Sequence, residues 1–583
     1  MKSTERNPYL VSKAMKHFLL ATVLSMAAGQ VSVTIDGIIV SHLVSPDALS
    51  AVNLYTPLSL LVSSFATFFG IGATIRAARA IGERDREKAG SLLSTALLSL
   101  AIAGVVIGVL SFIFQDRIVG LISHEERLSG YFKEYEGVMM GCCVVTMMNT
   151  LFNEMVCIDG HPRLATRATL ISTGVNVVLS AAFVGLLRLG VSGSAFATIL
   201  SVLLNIVLVS RYLFGGACSF SLRPFRSFSP RSLVSNMQQG APLIISNLLL
   251  MAMFFFLNNI VQSRQGADGM FAMSICMNLL TLGMMVSGSV GATAMSVGGF
   301  LYGQKDFEGV RILVNRCVRL VLIVLTVVLA VVEIAPGIIS GLFGADTPEL
   351  AAYTDRCLRI FAWMLPFILT VLLLANIYQM LGYLTLSPLL ILLFPVVMLP
   401  GMLLLARIDG SLIWYAFPLT GIVAVVVTFV ATSVIRLRKN RTVTFLTLVP
   451  LPSGKANGLN ISLRVTSGEI AASLDKFIDG LEKIVGDKDK AMHVRFCLEE
   501  LLQNIYQHGQ VPDSHYVDLF ACREKDTLTV AVRDDGRSFN PTLVADSDMG
   551  YGLKIVKEFS GSIDYKYMFG QNMTFLTFPF QLD

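Results

Sequence analysis

Arg436-Leu-Arg-Lys-Asn-Arg441, followed by Pro450, Pro452, Ser453, Gly454, Asn457 and Gly458, divides this chain between two solvents. The basic run reads as a stop at a membrane surface, and the Pro/Gly-containing stretch after it as a linker, 441–458. Before it nearly everything is apolar; after it comes a soluble tail. The chain has 583 residues, of which 54% are hydrophobic and only 15% charged, with a mean hydropathy of +0.68. Soluble chains carry about 25% charged residues, so most of this one belongs in lipid. The net charge of +5 conceals a split: from Ala456 onward roughly 13 Lys/Arg face 19 Asp/Glu, which leaves roughly 32 against 21 for the membrane part. An acidic tail argues against nucleic acid as its partner.

Crossing a hydrocarbon core about 30 Å thick takes about 20 apolar residues. About twelve runs qualify, near 15–40, 52–78, 90–114, 133–157, 165–187, 191–213, 234–262, 270–298, 312–340, 354–378, 386–406 and 411–435. One set of connecting loops is basic (Arg76, Arg79, Arg84, Arg86 and Lys88; Arg163 and Arg167; Arg211, Arg223, Arg226 and Arg231; Lys305, Arg311 and Arg316), whereas the alternate loops 41–51, 188–192, 263–269 and 406–410 hold at most one basic residue each. By the positive-inside rule the basic set is cytoplasmic. Both termini are then cytoplasmic, in a multi-pass protein of the inner or plasma membrane. The run after Lys16 has no small-residue cleavage site and reads as an uncleaved first helix. Nine scattered cysteines without a Cys-x-x-Cys pair fit reduced packing residues better than disulfides or zinc.

The membrane part repeats. Gly72-Ala-Thr74 precedes Gly82-Glu-Arg-Asp85, and Gly291-Ala-Thr293 precedes Gly303-Gln-Lys-Asp306, about 220 residues later. Asp159-Gly160-His-Pro162 parallels Gln379-Met-Leu-Gly382. Duplicated halves of six spans, 1–220 and 221–440, are a common plan for secondary transporters. Together with Asp36-Gly-Ile-Ile-Val-Ser-His-Leu-Val-Ser-Pro-Asp47, Gly190-Val-Ser-Gly-Ser-Ala-Phe-Ala-Thr198 and Ile408-Asp-Gly410-Ser-Leu-Ile-Trp414, these stretches resemble the multidrug and toxic compound extrusion (MATE) transporters over about residues 10–440.

Asp36 is the acidic residue deepest in the first span. A charge there costs at least about 2.5–3.5 kcal/mol unless it is paired, hydrated or protonated, which makes it a candidate proton or cation site; a solvated place near the helix end is the alternative. The resemblance implies that Asp36 works with Asn176 and Thr198, while Ser180 stands where such relatives carry a second acid. With one carboxylate the site suits a proton and leaves Na⁺ less well served. Asn176 as an interhelical hydrogen-bonding group is the other reading. The resemblance further implies efflux of small organic compounds, cationic or amphiphilic, driven by H⁺ or Na⁺.

In the tail, alternation predicts strands near 459–466, 515–523, 526–533, 562–568 and 573–580, and helical periodicity predicts helices at 468–486, 488–508 and from Gly552 to Phe559. The fold class expected is therefore an all-α polytopic membrane protein with a C-terminal α/β sandwich, a sheet with helices on one face, over 459–583. No Gly-x-x-x-x-Gly-Lys-Ser/Thr loop occurs, so a P-loop engine is not expected. Instead Glu500-Leu-Leu-Gln-Asn504, Asp534-Asp-Gly536, Gly550-Tyr-Gly552 and Gly570-Gln-Asn572-Met-Thr574 stand in order. They resemble the Bergerat (GHKL) ATP-binding fold, most closely the anti-sigma-factor serine kinases.

That resemblance makes ATP and Mg²⁺ the expected cofactors. It implies Glu500 as the catalytic base, Asn504 as the magnesium ligand and Asp534 as the reader of the adenine amine. Gly536, Gly550, Gly552, Asn572 and Thr574 complete the expected binding residues, with Gly550 and Gly552 letting phosphate approach a helix start. Ser538 departs from the family, standing where many relatives have a second glycine. Three functions stay open at this level: an efflux antiporter with an ATP-binding regulatory domain, a membrane-tethered protein-serine kinase or anti-sigma-like protein with a protein substrate, and a tail that only binds partners.

Overall fold

In the computed structural model the described residues are 7–44, 48, 51–52, 55–122, 126–215, 218–220, 222, 228–342, 347–451, 458–464, 469–509, 516–524, 527–543 and 551–579. Gly550, Asp47, Arg223 and Arg226 lie outside them. The chain divides into two compact units, one of Leu19–Phe300 and Val314–Leu448, the other of Val449–Asp583 with Met1–Phe18 and Leu301–Leu313.

The first unit is helical. In chain order the membrane helices are α1 (Tyr9–Leu43), α2 (Thr56–Ala66), α3 (Gly72–Gly82), α4 (Arg86–Ile113), α5 (Gln115–Ile122), α6 (Glu126–Gly141), α7 (Cys143–Ile158), α8 (Pro162–Ser180), α9 (Gly190–Leu213) and α10 (Pro230–Gly303). The series continues with α11 (Phe307–Ile334), α12 (Pro336–Leu342), α13 (Pro348–Ala362), α14 (Met364–Leu381), α15 (Leu386–Ile408) and α16 (Ala416–Arg438). Single π-helical turns, Thr67–Ile71 and Ala181–Leu186, follow α2 and α8. Helix starts follow local chemistry: Pro162 takes the first turn of α8, where its missing N–H costs nothing, and Thr347 caps α13 by accepting from Leu350 N.

Among the described residues ten helical runs are long and apolar enough to cross a membrane, or up to eleven when α6 and α7, bent by 51°, are taken as one span. The expected spans 234–262 and 270–298 both fall within α10, and residues 263–269, expected as a loop, are helical. Polar residues marked that loop in the sequence. In the fold Gln265 is bonded instead to the carbonyl of Gly410 and the hydroxyl of Tyr353, so its polarity is met by protein and helix can continue.

The repeat is visible in the backbone. Arg84 and Lys305 both adopt left-handed conformations, with φ of 60° and 62°. Asp85 N donates to Ala80 O at 2.9 Å and Asp306 N to Leu301 O at 3.0 Å. Each aspartate then caps the next helix: Asp85 accepts from Lys88 N and Asp306 from Gly309 N, both at 2.9 Å. The second parallel holds too, since Gly160 and Gly382 have φ of 86° and 88° and close helices through His161 N to Val156 O and Tyr383 N to Tyr378 O.

The second unit is built on a five-stranded antiparallel sheet in the order β1 (Gly458–Arg464), β2 (Tyr516–Glu524), β3 (Thr527–Asp534), β5 (Gln571–Pro579), β4 (Ser562–Met568). Three helices, α17 (Glu469–Val485), α18 (Lys488–His508) and α19 (Tyr551–Phe559), complete it. Asp487 starts α18 by accepting from Asp489 N and Lys490 N, and these backbone bonds, that from Lys490 foremost, hold its carboxyl below the usual carboxylate range. Leu463, Val517, Leu519, Val530, Val532 and Leu576 from the strands close a core with Leu474, Phe477, Leu498 and Leu502 from the helices.

The opposite face of the sheet is also covered. Side chains alternate along a strand, and Phe520, Ala531, Arg533, Met573 and Phe575 on that side are buried as well. Asn7 N donates to Ser462 Oγ at 2.8 Å, Gln571 Nε2 to Leu10 O at 2.6 Å, and Phe18 packs 6.2 Å from Phe569. Arg533 donates to Asp306 at 2.7 Å and to Gln304.

Candidate functional site

The tail's motifs converge between the helices and the sheet. Asn504, Asp534, Asn572 and Thr574 line one cavity of about 320 Å³, with Leu501, Ile505, Val532, Arg537, Phe539 and Pro541 as further wall. Their convergence follows from pairing: Val532 is in register with Thr574 and Asp534 with Asn572 on neighbouring strands, while Asn504 follows Glu500 by one turn on α18 and shares its face.

Asp534 is buried, and its Oδ1 accepts from Gly536 N at 2.9 Å and Asn572 Nδ2 at 2.8 Å. Its Oδ2 has no hydrogen bond among the described residues and is the atom left to accept from a ligand amine. Burial pushes the carboxyl above its ordinary range, while the bonds from Asn572 and Gly536 oppose that rise. Gly536, expected at the nucleotide, acts through its backbone by fixing Asp534.

Asn572 serves the same end. Its Nδ2 also donates to Arg537 O at 3.1 Å and Gly536 O at 3.4 Å, and its Oδ1 accepts from Tyr565 Oη at 2.6 Å. Its capacity is thus spent on holding the Asp534 loop. Tyr565, which also lies 3.2 Å from Ser538 Oγ, was not among the sequence candidates. Its signal was positional: it pairs with Thr574 in the strand register, two residue pairs from Asn572 and on the same face.

Glu500 sits apart from this network. Its carboxylate has no hydrogen bond or ion pair among the described residues and lies against the first turn of α19, where a Cβ on residue 552 would overlap it. Gly552 leaves the Glu500 carboxylate its place, which a side chain at 552 would displace. An unpaired carboxylate beside a helix N-terminus, one turn from an Asn amide, is a set that can accept a proton and hold a hard cation. ATP and Mg²⁺ fit these residues: the Asn504 amide oxygen would be the protein's ligand to the ion, whose remaining ligands normally come from phosphate and water, with Glu500 beside it as a base. Among the described residues no group of three or more His, Cys, Asp or Glu is placed to hold a metal ion by itself. Arg537 lines the cavity; the His508 side chain and Gly550 lie outside the described residues.

In the membrane unit the structure brings three of the four expected ion-site residues into one chain of bonds. Ser32 Oγ donates to Asn176 Oδ1 at 2.9 Å, Asn176 Nδ2 to Thr198 Oγ1 at 3.4 Å, and Thr198 Oγ1 to Asp36 Oδ2 at 3.5 Å. Ser180 is buried one turn beyond Asn176 on α8. Among the described residues no hydrogen bond of ordinary geometry reaches Asp36 Oδ1 or Ser180 Oγ, both buried. Unsatisfied buried oxygens are costly, and two in one polar cluster are what a proton or cation would relieve.

Residues 21–182 and 242–401 match the MatE family, and residues 469–578 match the histidine kinase-like ATPase domain. The chain is 24% identical over 292 residues to the probable multidrug resistance protein YoeA of Bacillus subtilis, covering 48% of this chain and 63% of that protein. It is 22% identical over 191 residues to the multidrug export protein MepA of Staphylococcus haemolyticus, covering 33% and 42%. The chain thus spans less than two thirds of the length of each of these relatives. The fold is similar to that of a MATE protein crystallised in the bent conformation, with a TM-score of 0.68 at 23% identity over 75% of this chain and all of that one. It is also similar to a multidrug resistance MATE family transporter of the MOP superfamily in an outward-facing conformation, with a TM-score of 0.67 at 22% identity.

Proposed function

Since the chain belongs to the MatE family and ends in a histidine kinase-like ATPase domain, we propose that it is an ion-coupled exporter of small organic compounds, regulated by nucleotide at its tail. Its parts on this reading are two six-span halves, 1–220 and 221–440, a linker, 441–458, and the nucleotide-binding domain, 459–583. The excess of Lys and Arg in alternate loops supports a cell-membrane protein with both termini in the cytoplasm, where ATP is.

The observation that carries the transport reading is the buried Asp36 Oδ1, reached by no hydrogen bond of ordinary geometry among the described residues, beside Thr198 and Asn176. A proton or Na⁺ bound there changes the charge of a buried group, so it can bias the equilibrium between two arrangements of the halves. Lacking the second carboxylate, the cluster favours H⁺. Cationic or amphiphilic compounds are the substrate class proposed.

In the tail, Asp534 Oδ2 accepts from the adenine amine, Asn572 and Gly536 hold that carboxylate in place, and the first turn of α19 faces the phosphates. Bound Mg–ATP supplies a transferable phosphoryl group. Glu500 then orients or deprotonates an attacking hydroxyl. The free state of Glu500 favours a second reading, that the tail phosphorylates a serine on a protein partner.

Efflux from proteoliposomes tests the ion site and the regulatory role of the tail, using wild type, Asp36→Asn and Glu500→Ala, with the proton and sodium gradients dissipated in turn and with ATP present or absent. Asp36→Asn is expected to abolish gradient-driven efflux, and normal transport by it would sink the ion site. Transport driven by ATP without a gradient would overturn regulation.

A further inference from the structure

Asp534 is the end of β3, and its two neighbours in sequence do different work. Because side chains alternate, Asp534 faces the nucleotide cavity while Arg533 faces the other side of the sheet, and Asp535 lies just beyond the strand. Arg533 is 2% exposed, and its guanidinium bonds to Asp306 Oδ2 at 2.7 Å and to Gln304. Asp535 accepts from Tyr9 Oη at 3.0 Å and is paired with Lys13. Asn460 of β1 adds a bond to Asp306 Oδ1 at 3.0 Å.

The segments held this way lead directly into transport elements. Gln304–Asp306 joins the end of α10 to the start of α11 at Phe307, and Tyr9 and Lys13 belong to α1, which runs unbroken to Leu43 and carries Asp36. Asp36 lies about 40 Å along that helix from Tyr9 at 1.5 Å per residue.

We propose that the second face of the tail's sheet is the surface through which nucleotide occupancy is coupled to transport, with Arg533–Asp306 and Asp535–Lys13 as its two straps. The partner of this surface is the chain's own N-terminal segment and α10–α11 turn. A ligand that engages Asp534 acts on a strand end whose adjacent residues are both fastened to those segments, so the nucleotide and the straps share one rigid element. Coupling of this kind is reciprocal: if nucleotide changes the straps, cutting a strap changes nucleotide affinity. The proposal rests on the reading of the cavity at Asp534 as a nucleotide site.

The test is equilibrium binding of Mg–ATP, displacing a fluorescent ATP analogue, to the full-length protein in detergent or nanodiscs. Wild type is compared with Asp306→Asn, Lys13→Gln and the double variant Asp306→Asn with Arg533→Gln, and with Asp85→Asn, the matching residue of the first half, as control. Asp306→Asn, remote from the cavity in sequence, is expected to weaken binding about fivefold or more, at the lower end of ordinary allosteric coupling, and Lys13→Gln in the same direction. The double variant leaves no unpaired buried charge and keeps the test available where the single change prevents folding; it is expected to bind no better than Asp306→Asn. Asp85→Asn is expected to bind as wild type does. A wild type that binds, with Asp306→Asn, Lys13→Gln and the double variant indistinguishable from it, overturns the coupling alone. A wild type that binds no nucleotide overturns the site reading and the coupling with it.

Discussion

The turns Gly82–Asp85 and Gly303–Asp306 have the same backbone and opposite surroundings. Both place a basic residue in the left-handed region and both end in an aspartate that caps the next helix. Asp85 is exposed, and its neighbour Glu83 pairs with Lys88 at 2.7 Å in solvent. Asp306 is 1% exposed and holds the buried Arg533. One acid thus serves mainly as a cap, while its copy also neutralises a buried cation. Duplication set the shape; a strand more than two hundred residues away set the energetics.

The largest expected effect separates these roles. Arg533→Met leaves the Asp306 carboxylate buried without its guanidinium, which should destabilise by about 3–5 kcal/mol, read as loss of the tail's protection in hydrogen exchange. Adding Asp306→Leu should recover most of that. If Arg533→Met costs no more than a surface change, the two turns do not differ as described.

Next comes the cavity beside the buried turn. Asp534→Asn replaces the free acceptor Oδ2 with an amide, and a hydrogen bond to a charged group is worth about 1.5–3 kcal/mol, so nucleotide affinity should fall about ten- to a hundredfold in a binding titration. Because burial raises the Asp534 carboxyl, acidification should weaken binding at a higher pH than for an ordinary carboxylate. A pH-independent affinity down to the usual carboxylate range would contradict this.

Asp85→Ala removes only an exposed cap and should cost about 1 kcal/mol in thermal unfolding of the membrane unit. The smallest effect is expected at Glu83→Gln, which breaks an exposed ion pair worth about 0.2–1 kcal/mol and should lie near the error of the same measurement. A cost at Glu83 rivalling that at Arg533 would erase the contrast between the turns.

Most of the tail was legible because its patterns are local. Alternation located all five strands and 3.6-residue periodicity all three helices to within a few residues. Asn504, Asp534, Asn572 and Thr574 meet in one cavity because strand register and one helical turn bring them there. The cover on the sheet's second face was not foreseen, since Asn7, Leu10, Gln304 and Asp306 are remote in sequence from the strands they touch. A signal did exist. In Thr527-Leu-Thr-Val-Ala-Val-Arg-Asp534 and Gln571-Asn-Met-Thr-Phe-Leu-Thr-Phe578 apolar residues occupy both faces, as in sheets buried on both sides. In the membrane unit the stretch 263–269, expected as a loop, is helical where Gln265 finds protein partners, because hydropathy does not record who satisfies a polar group.

The left-handed Arg84 and Lys305 bear on how the tail associates with the rest of its chain. A non-glycine residue in that region costs about 1–3 kcal/mol, and the first copy keeps it while its aspartate bonds to its own helix ends, at Ala80 O and Lys88 N. The turn is therefore shaped by its own helices, and Lys305–Asp306 is a receptor ordered before the strand reaches it. Association with a preorganised surface spends little on freezing loops, and the linker makes the encounter intramolecular at high effective concentration. Modest contacts then suffice for an assembly that holds yet can still be released.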